Sequence, residues 1–177
     1  RKISWVTWDE AKPSPEIVRG EGEMVYVAAA KHGLVAIDVS NPRKPKVTDQ
    51  YISDPTAYGE GLCVRNGIVY FANLSGQKDE NGLTIIDARN PTSLKVKGKC
   101  IFSGGVEGVC AAGNRVFVTN RWSGVRSIDV SDPNHPRLVD SSGPMEGERL
   151  VASDNFLETE VSQQEQKLID YLETRKS

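Results

Sequence analysis

Apolar and polar positions alternate in short bursts along most of this chain, and turn residues punctuate them. Met24-Val-Tyr-Val-Ala28, Ile68-Val-Tyr-Phe-Ala72 and Val116-Phe-Val-Thr119 are runs of β-branched and aromatic residues. That composition suits a pleated, half-buried strand. A second set of runs begins at glycine and ends on Ile-Asp: Gly33-Leu-Val-Ala-Ile-Asp38, Gly82-Leu-Thr-Ile-Ile-Asp87 and Gly124-Val-Arg-Ser-Ile-Asp129. Each Asp is followed, three residues on, by Asn41-Pro42, Asn90-Pro91 or Asp132-Pro133. A strand running into a Pro-forced turn explains the pattern: the Asp accepts from turn amides, and Pro ends the ladder.

The two blocks recur in the same order, so the chain is a repeat. Aligning Tyr26, Tyr70 and Phe117 brings Glu16, Glu60 and Glu107 into register, and the same register places Glu146 ten residues before Phe156. The four glutamates are 44, 47 and 39 residues apart, and loop length accounts for most of the variation, notably the longer Ser75–Asn81 segment. Each unit accommodates four short strands, in the second copy at 61–65, 68–73, 82–88 and 95–102. Arg65-Asn66-Gly67 and Asn90-Pro91 supply its turns. Four strands per period of about 45 residues is the plan of a β-propeller blade.

The predicted fold is therefore all-β, with blades at 16–59, 60–106 and 107–145 and a partial fourth at 146–160 with 1–8. Three blades do not close a ring. Residues 3–8 alternate like an outermost strand and 147–158 like the first two strands of a blade, so the two ends could form one composite blade lacking a third strand. Closure between copies, or by the rest of a longer protein, are the alternatives. Ser162-Gln-Gln-Glu165 fits a capping box, and Val161, Leu168, Ile169 and Leu172 form a stripe, which predicts a helical tail within 161–177. A helix of that length needs packing to be stable.

The run Gly-Leu-x-x-Ile-Asp-Val-Ser-Asn-Pro with a following proline (Pro45, Pro136) resembles the LVIVD repeat of bacterial and archaeal β-propeller proteins, over about residues 16–145. The second copy departs from it, with Ala88-Arg89 in place of Val-Ser and Leu94 where the later Pro stands. The resemblance implies a propeller and, because such proteins are often secreted or cell-surface, an extracellular, periplasmic or cell-surface location. It implies no particular activity.

Charge narrows the field of partners. With Lys plus Arg 22 against Asp plus Glu 24, the net charge is -2, which gives no general attraction to nucleic acid or an anionic membrane. No apolar run approaches the roughly 20 residues of a membrane helix, so no membrane insertion is expected. The chain opens on Arg1, so its start does not report on targeting. Cys63, Cys100 and Cys110 are too few for a disulfide scaffold and read as buried small hydrophobes. Two histidines and no CxxC make no zinc or haem site, and the usual phosphate-loop motifs are absent.

In a propeller blade the first strand lines the central channel. Loops from strand two to three open on one face, and loops from three to four on the other. Glu16, Glu60, Glu107 and Glu146 then gather at the channel mouth. A carboxylate ring raises its own pKa values unless a cation or arginine compensates, so Ca²⁺ or a basic ligand is a candidate occupant, with Arg19 and Arg149 as neutralisers. The competing reading is that each Glu holds backbone amides between blades. His32 and His135 fall on opposite faces and cannot share a metal, and neither has a repeat-defined acid beside it. Asp38, Asp87 and Asp129 read as turn acceptors.

The 2–3 loops, Ala30-Lys31-His32, Ser75–Asn81 and Asn120-Arg121-Trp122-Ser123, differ most between copies, and variable loops on a rigid scaffold are where binding concentrates. Trp122 beside Arg121 has the composition of an interaction hot spot, although a Trp wedged between blades is an equal reading. Asn73-Leu74-Ser75 is a glycosylation sequon on the same face. The expected function is a non-catalytic binding or scaffolding propeller. It would engage a protein partner, or its own copies, through Lys31, His32, Gln77–Glu80, Arg121 and Trp122, with or without the tail helix. The alternative is a lactonase-like hydrolase with a divalent cation on the carboxylate ring. It is weakened by Leu62, Cys63, Val109 and Cys110 standing where such sites need Asn, Asp or His. No catalytic residue and no cofactor is assigned.

Overall fold

The motif glycine and the motif aspartate fix the two ends of every third strand. Gly33, Gly82 and Gly124 have φ of +68°, +140° and +75°, in the region L side chains avoid. A Cβ on Gly33 would lie 2.2 Å from the Tyr51 carbonyl oxygen, and one on Gly82 would lie 2.2 Å from that of Cys100. Only glycine lets the fourth strand's carbonyl come so close. At the far end the Oδ1 atoms of Asp38, Asp87 and Asp129 accept from the amides of Ser40, Arg89 and Ser131 at 2.8, 3.1 and 2.9 Å. A second turn of the same type follows, with Asn41, Asn90 and Asp132 accepting from Arg43, Thr92 and Asn134 at 3.0, 3.3 and 2.9 Å.

The computed structural model describes residues 15–53, 58–74, 81–106, 108–120 and 124–141. Among them there is no helix, and twelve strands form three four-stranded antiparallel sheets, each in chain order. The first blade is β1 (Ile17–Glu21), β2 (Met24–Ala28), β3 (Leu34–Asp38) and β4 (Lys46–Tyr51). The second is β5 (Tyr58–Arg65), β6 (Ile68–Leu74), β7 (Gly82–Asp87) and β8 (Lys95–Ile101). The third is β9 (Gly108–Ala112), β10 (Arg115–Asn120), β11 (Gly124–Asp129) and β12 (Arg137–Ser141). These are the all-β propeller-type blades expected from the repeat. The partial fourth blade and the tail helix lie outside the described residues.

One irregularity recurs that the alternation of residues did not announce. The ladder between third and fourth strands shifts register at Ala36/Ile37, at Ile85/Ile86 and at Ser127/Ile128, the same place each time. The bulge sets Asp49, Gly98 and Asp140 opposite the residue two before the motif Asp.

Alternation along the strands gives each blade two apolar faces, and the faces stack. Tyr26, Ala28, Leu34 and Ala36 of the first blade meet Leu62, Val69, Phe71 and Ile86 of the second. Ala72, Leu83 and Ile85 of the second blade meet Val109, Val116, Val118 and Ile128 of the third. Each large side chain buried this way contributes about 1.5–3 kcal/mol relative to exposure. Innermost strands adjoin as a propeller requires: β1 contacts β5, and β5 contacts β9. The approach is closest at Gly61, where a Cβ would lie 2.6 Å from Val109 Cγ2.

Polar clips reinforce the first junction. Glu21 accepts from the amides of Asn66 and Gly67, both at 2.7 Å, through its two carboxylate oxygens. Asp49 Oδ2 accepts from the Leu94 amide at 2.7 Å. The buried Tyr26 hydroxyl donates to the Ala88 carbonyl at 3.4 Å. At the second junction Pro136 occupies the position of Leu94 and has no N–H to give. The residue facing it is Gly98, whose Cβ would meet Pro136 Cδ at 2.7 Å and the Pro133 carbonyl oxygen at 2.6 Å.

Candidate functional site

The 2–3 loop of the first blade is short because its backbone closes on itself. The Ala29 amide donates to the Gly33 carbonyl, His32 to Ala29, and Gly33 to Ala30, at 2.9, 2.8 and 3.1 Å. Ala30 sits at φ +43°, a left-handed conformation that costs an alanine about 1–2 kcal/mol. A bridge between Ala30 and Gly59 ties this loop to the start of β5, with the Gly59 amide 3.2 Å from the Ala30 carbonyl. Gln50 Nε2 donates to the His32 carbonyl at 2.7 Å.

This framework displays a cation and an aromatic ring. Lys31 is exposed, and its Nζ stands 5.9 Å from the ring centroid of Tyr58, itself 43% exposed. His32 beside it is half-buried. Exposed Ile52 lies at the end of β4, close in sequence to the same connection. Tyr58 was missed at the sequence level because it falls in the connection before the repeat glutamate, where no periodicity marks it. Arg121, Trp122 and Gln77–Glu80, the other residues expected on this face, lie outside the described residues.

Beneath the loops each junction carries a buried polar group at equivalent positions. Between the first and second blades Asn73 Nδ2 donates to Ser53 Oγ at 3.2 Å, and Thr84 Oγ1 donates to Asn73 Oδ1 at 3.5 Å. Asn73 is 1% exposed, so the sequon asparagine is a junction residue and not a surface acceptor. Between the second and third blades Arg126 takes the place of Thr84. Its guanidinium stacks 4.7 Å from the Phe102 ring centroid, and Nη2 donates to the Ser103 carbonyl at 2.8 Å, while the buried Nη1 has no hydrogen-bond partner among the described residues. Burial lowers the Arg126 pKa.

Of the four ring glutamates, Glu16 precedes β1 and Glu60 lies in β5 between the residues where its ladder shifts register. Glu107 and Glu146 are outside the described residues. Among the described residues no three His, Cys, Asp or Glu side chains come together in a group able to hold a metal ion.

The opposite face holds the 3–4 turns, and there one expectation is corrected. His135 does have a repeat-position acid beside it: Nδ1 lies 2.7 Å from Asp132 Oδ2. The third copy carries Asp where the others have Asn41 and Asn90, and the tight turn brings a residue three positions on against it. Both side chains are exposed, and the pair fastens a turn. The His135 imidazole holds the Asp132 carboxyl down at about 2. Asp87 is likewise held at about 2, chiefly by the Arg89 guanidinium, and Asp38 and Asp129 are lowered by Ser40 and Ser131. His32, in a 2–3 loop, and His135, in a 3–4 loop, belong to the two loop sets that open on opposite faces.

All three cysteines are free and lie in strands, but only Cys100 and Cys110 are buried, and Cys63 is half-buried. Burial pushes the Cys110 thiol up to about 12, with Cys63 nearby adding to the effect. Such a thiol is inert as a nucleophile.

The LVIVD repeat model matches residues 18–53, 78–101 and 103–142, together more than half of the chain. No curated protein matches the sequence. Among solved structures the chain is similar to a europium-containing methanol dehydrogenase at 16% identity and a TM-score of 0.48. The match covers 72% of this chain and 26% of the enzyme, so the chain spans about a quarter of that protein.

Proposed function

The chain belongs to the LVIVD-repeat family, and from that premise we propose that it is a non-catalytic binding propeller that engages a protein partner through its 2–3 loop face. The observation that carries the reading is the exposed Lys31–Tyr58 pair on a loop pinned by the Ala30–Gly59 bridge. A preordered aromatic with a cation over it is the kind of group that anchors interfaces, because little side-chain freedom is left to lose on binding. Arg121 and Trp122, in the corresponding loop of the third blade, extend the same chemistry. The exposed 3–4 turns, by contrast, use their polar groups on their own amides.

Affinity capture with the full chain as bait tests the proposal. Tyr58→Ala combined with Lys31→Glu is expected to remove a captured protein at least about tenfold, as does Trp122→Ala, while His135→Ala retains it. Retention by the first two variants and loss with the third overturns the reading.

A further inference from the structure

The turn between β5 and β6 is the dipeptide Asn66-Gly67, closed by the pairing of Arg65 with Ile68. Its φ values of +52° and +70° are the left-handed pair that a two-residue hairpin loop selects. An Asn-Gly step is chemically weak, because glycine puts no side chain between its own nitrogen and the asparagine carboxamide. Asn66 is exposed, so water reaches it. What sets this step apart is how it is held. Glu21, in the neighbouring blade, accepts from the Asn66 amide through one carboxylate oxygen and from the Gly67 amide through the other, both at 2.7 Å. The Gly67 carbonyl accepts from the Ala88 amide at 2.8 Å, and a Cβ on Gly67 would lie 2.5 Å from Arg89 Cγ. The nitrogen that would attack the carboxamide is thus tied to a carboxylate, in a peptide unit gripped on two sides.

We propose that Asn66 is a deamidation site and that Glu21 holds the reaction off, so that the first blade junction governs a covalent change in the second blade. The reaction needs only water. The Gly67 nitrogen gives its proton to solvent hydroxide and attacks Asn66 Cγ. The Cγ–Nδ2 bond breaks, and the departing nitrogen takes a proton from water and leaves as ammonia. Water then opens the resulting succinimide at one of its two carbonyls, leaving aspartate or isoaspartate with one new carboxylate. Glu21 opposes the first step in two ways. Its negative charge makes the Gly67 amide harder to deprotonate, and a hydrogen bond to a charged group must break before the nitrogen can turn toward Cγ. Once made, the change does not reverse. Either product sets a carboxylate beside that of Glu21, where like charges repel. Isoaspartate also adds a methylene to the main chain between the two amides that Glu21 bridges.

Incubation of the full chain at mildly alkaline pH, with peptide mapping of the amide-to-acid mass change, tests the proposal. Cys100 lies buried in the junction between the second and third blades, and its alkylation by iodoacetamide in parallel samples reports global opening. In the wild-type chain Asn66 is expected to convert at least about tenfold more slowly than in the urea-unfolded chain. Glu21→Ala is expected to speed conversion at Asn66 at least about fivefold, and Glu21→Gln by less, in each case beyond any rise in Cys100 labelling. Wild-type conversion as fast as in the unfolded chain would show that the turn is not protected. No acceleration in either variant would show that Glu21 is not the guard, and acceleration matched by Cys100 would assign the effect to unfolding. Any of these three results overturns the proposal.

Discussion

Asp49 Oδ2 accepts a hydrogen bond from the backbone amide of Leu94 at 2.7 Å, across a blade junction and 45 residues along the chain. It explains a departure from the repeat. Leu94 stands where the first and third copies carry Pro45 and Pro136, and the missing proline is what leaves an N–H for the carboxylate. Leu94→Pro, which makes the second copy more like the others, is therefore expected to destabilise the chain by about 1.5–3 kcal/mol. Leu94→Ala, which keeps the amide, controls for lost packing. The Asp49→Gly background is expected to absorb most of the Leu94→Pro penalty in a urea-unfolding double-mutant cycle.

Glu21 clips the same junction at its other end. Glu21→Ala leaves the Asn66 and Gly67 amides without their acceptor and is expected to cost about 1–3 kcal/mol in the urea midpoint. Glu21→Gln keeps one acceptor oxygen and is expected to cost less. Equal stability of the alanine variant and wild type would show that water replaces the carboxylate without loss.

The motif glycines are fixed by contact as well as by φ. Gly82→Ala puts a methyl 2.2 Å from the Cys100 carbonyl oxygen at φ +140°, and is expected to lower stability by more than about 1 kcal/mol. Gly113→Ala, at φ +52° with nothing within 4 Å of the added methyl, carries only the backbone cost. The thermal midpoints of the two variants separate contact from conformation.

Acid should loosen the turns. Asp38, Asp87, Asp129 and Asp132 are all held below their ordinary 3.8 in the folded chain, Asp87 and Asp132 at about 2. A carboxyl depressed on folding contributes stability above its unfolded pKa and loses it as the pH falls toward its folded value. The expected profile is flat from neutrality to about pH 4, with a decline below that toward pH 2. Asp132→Asn preserves the turn acceptor, as Asn41 and Asn90 do, and is expected to make that decline shallower with little change at pH 7. A steeper decline in the variant would contradict the assignment.

What could be read from the residues was whatever the chain repeats locally. Gly33-to-Asp38 and its two copies specify a strand, its glycine-dependent start and its aspartate-capped end within ten residues, so strands, turns and blade plan follow from periodicity. The recurring bulge was not legible, because the extra residue sits in fourth strands such as Lys46–Tyr51 whose alternation is weak. Pairings between blades were hidden too. Asp49 with Leu94, and Glu21 with Asn66 and Gly67, join residues a full repeat apart, so no local pattern marks them. Asn73 matched a surface motif while its register on β6 buries it against Ser53. Tyr58 gained its meaning only when the Ala30–Gly59 bridge brought it under Lys31.

The binding face is tested most directly by site-specific photo-crosslinking of the full chain, with benzoylphenylalanine in place of Tyr58 in one sample and of His135 in another. The expected result is a discrete partner adduct from position 58 and none from position 135. Adducts from position 135 alone, or the same adducts from both positions, would contradict a partner held on the 2–3 loop face.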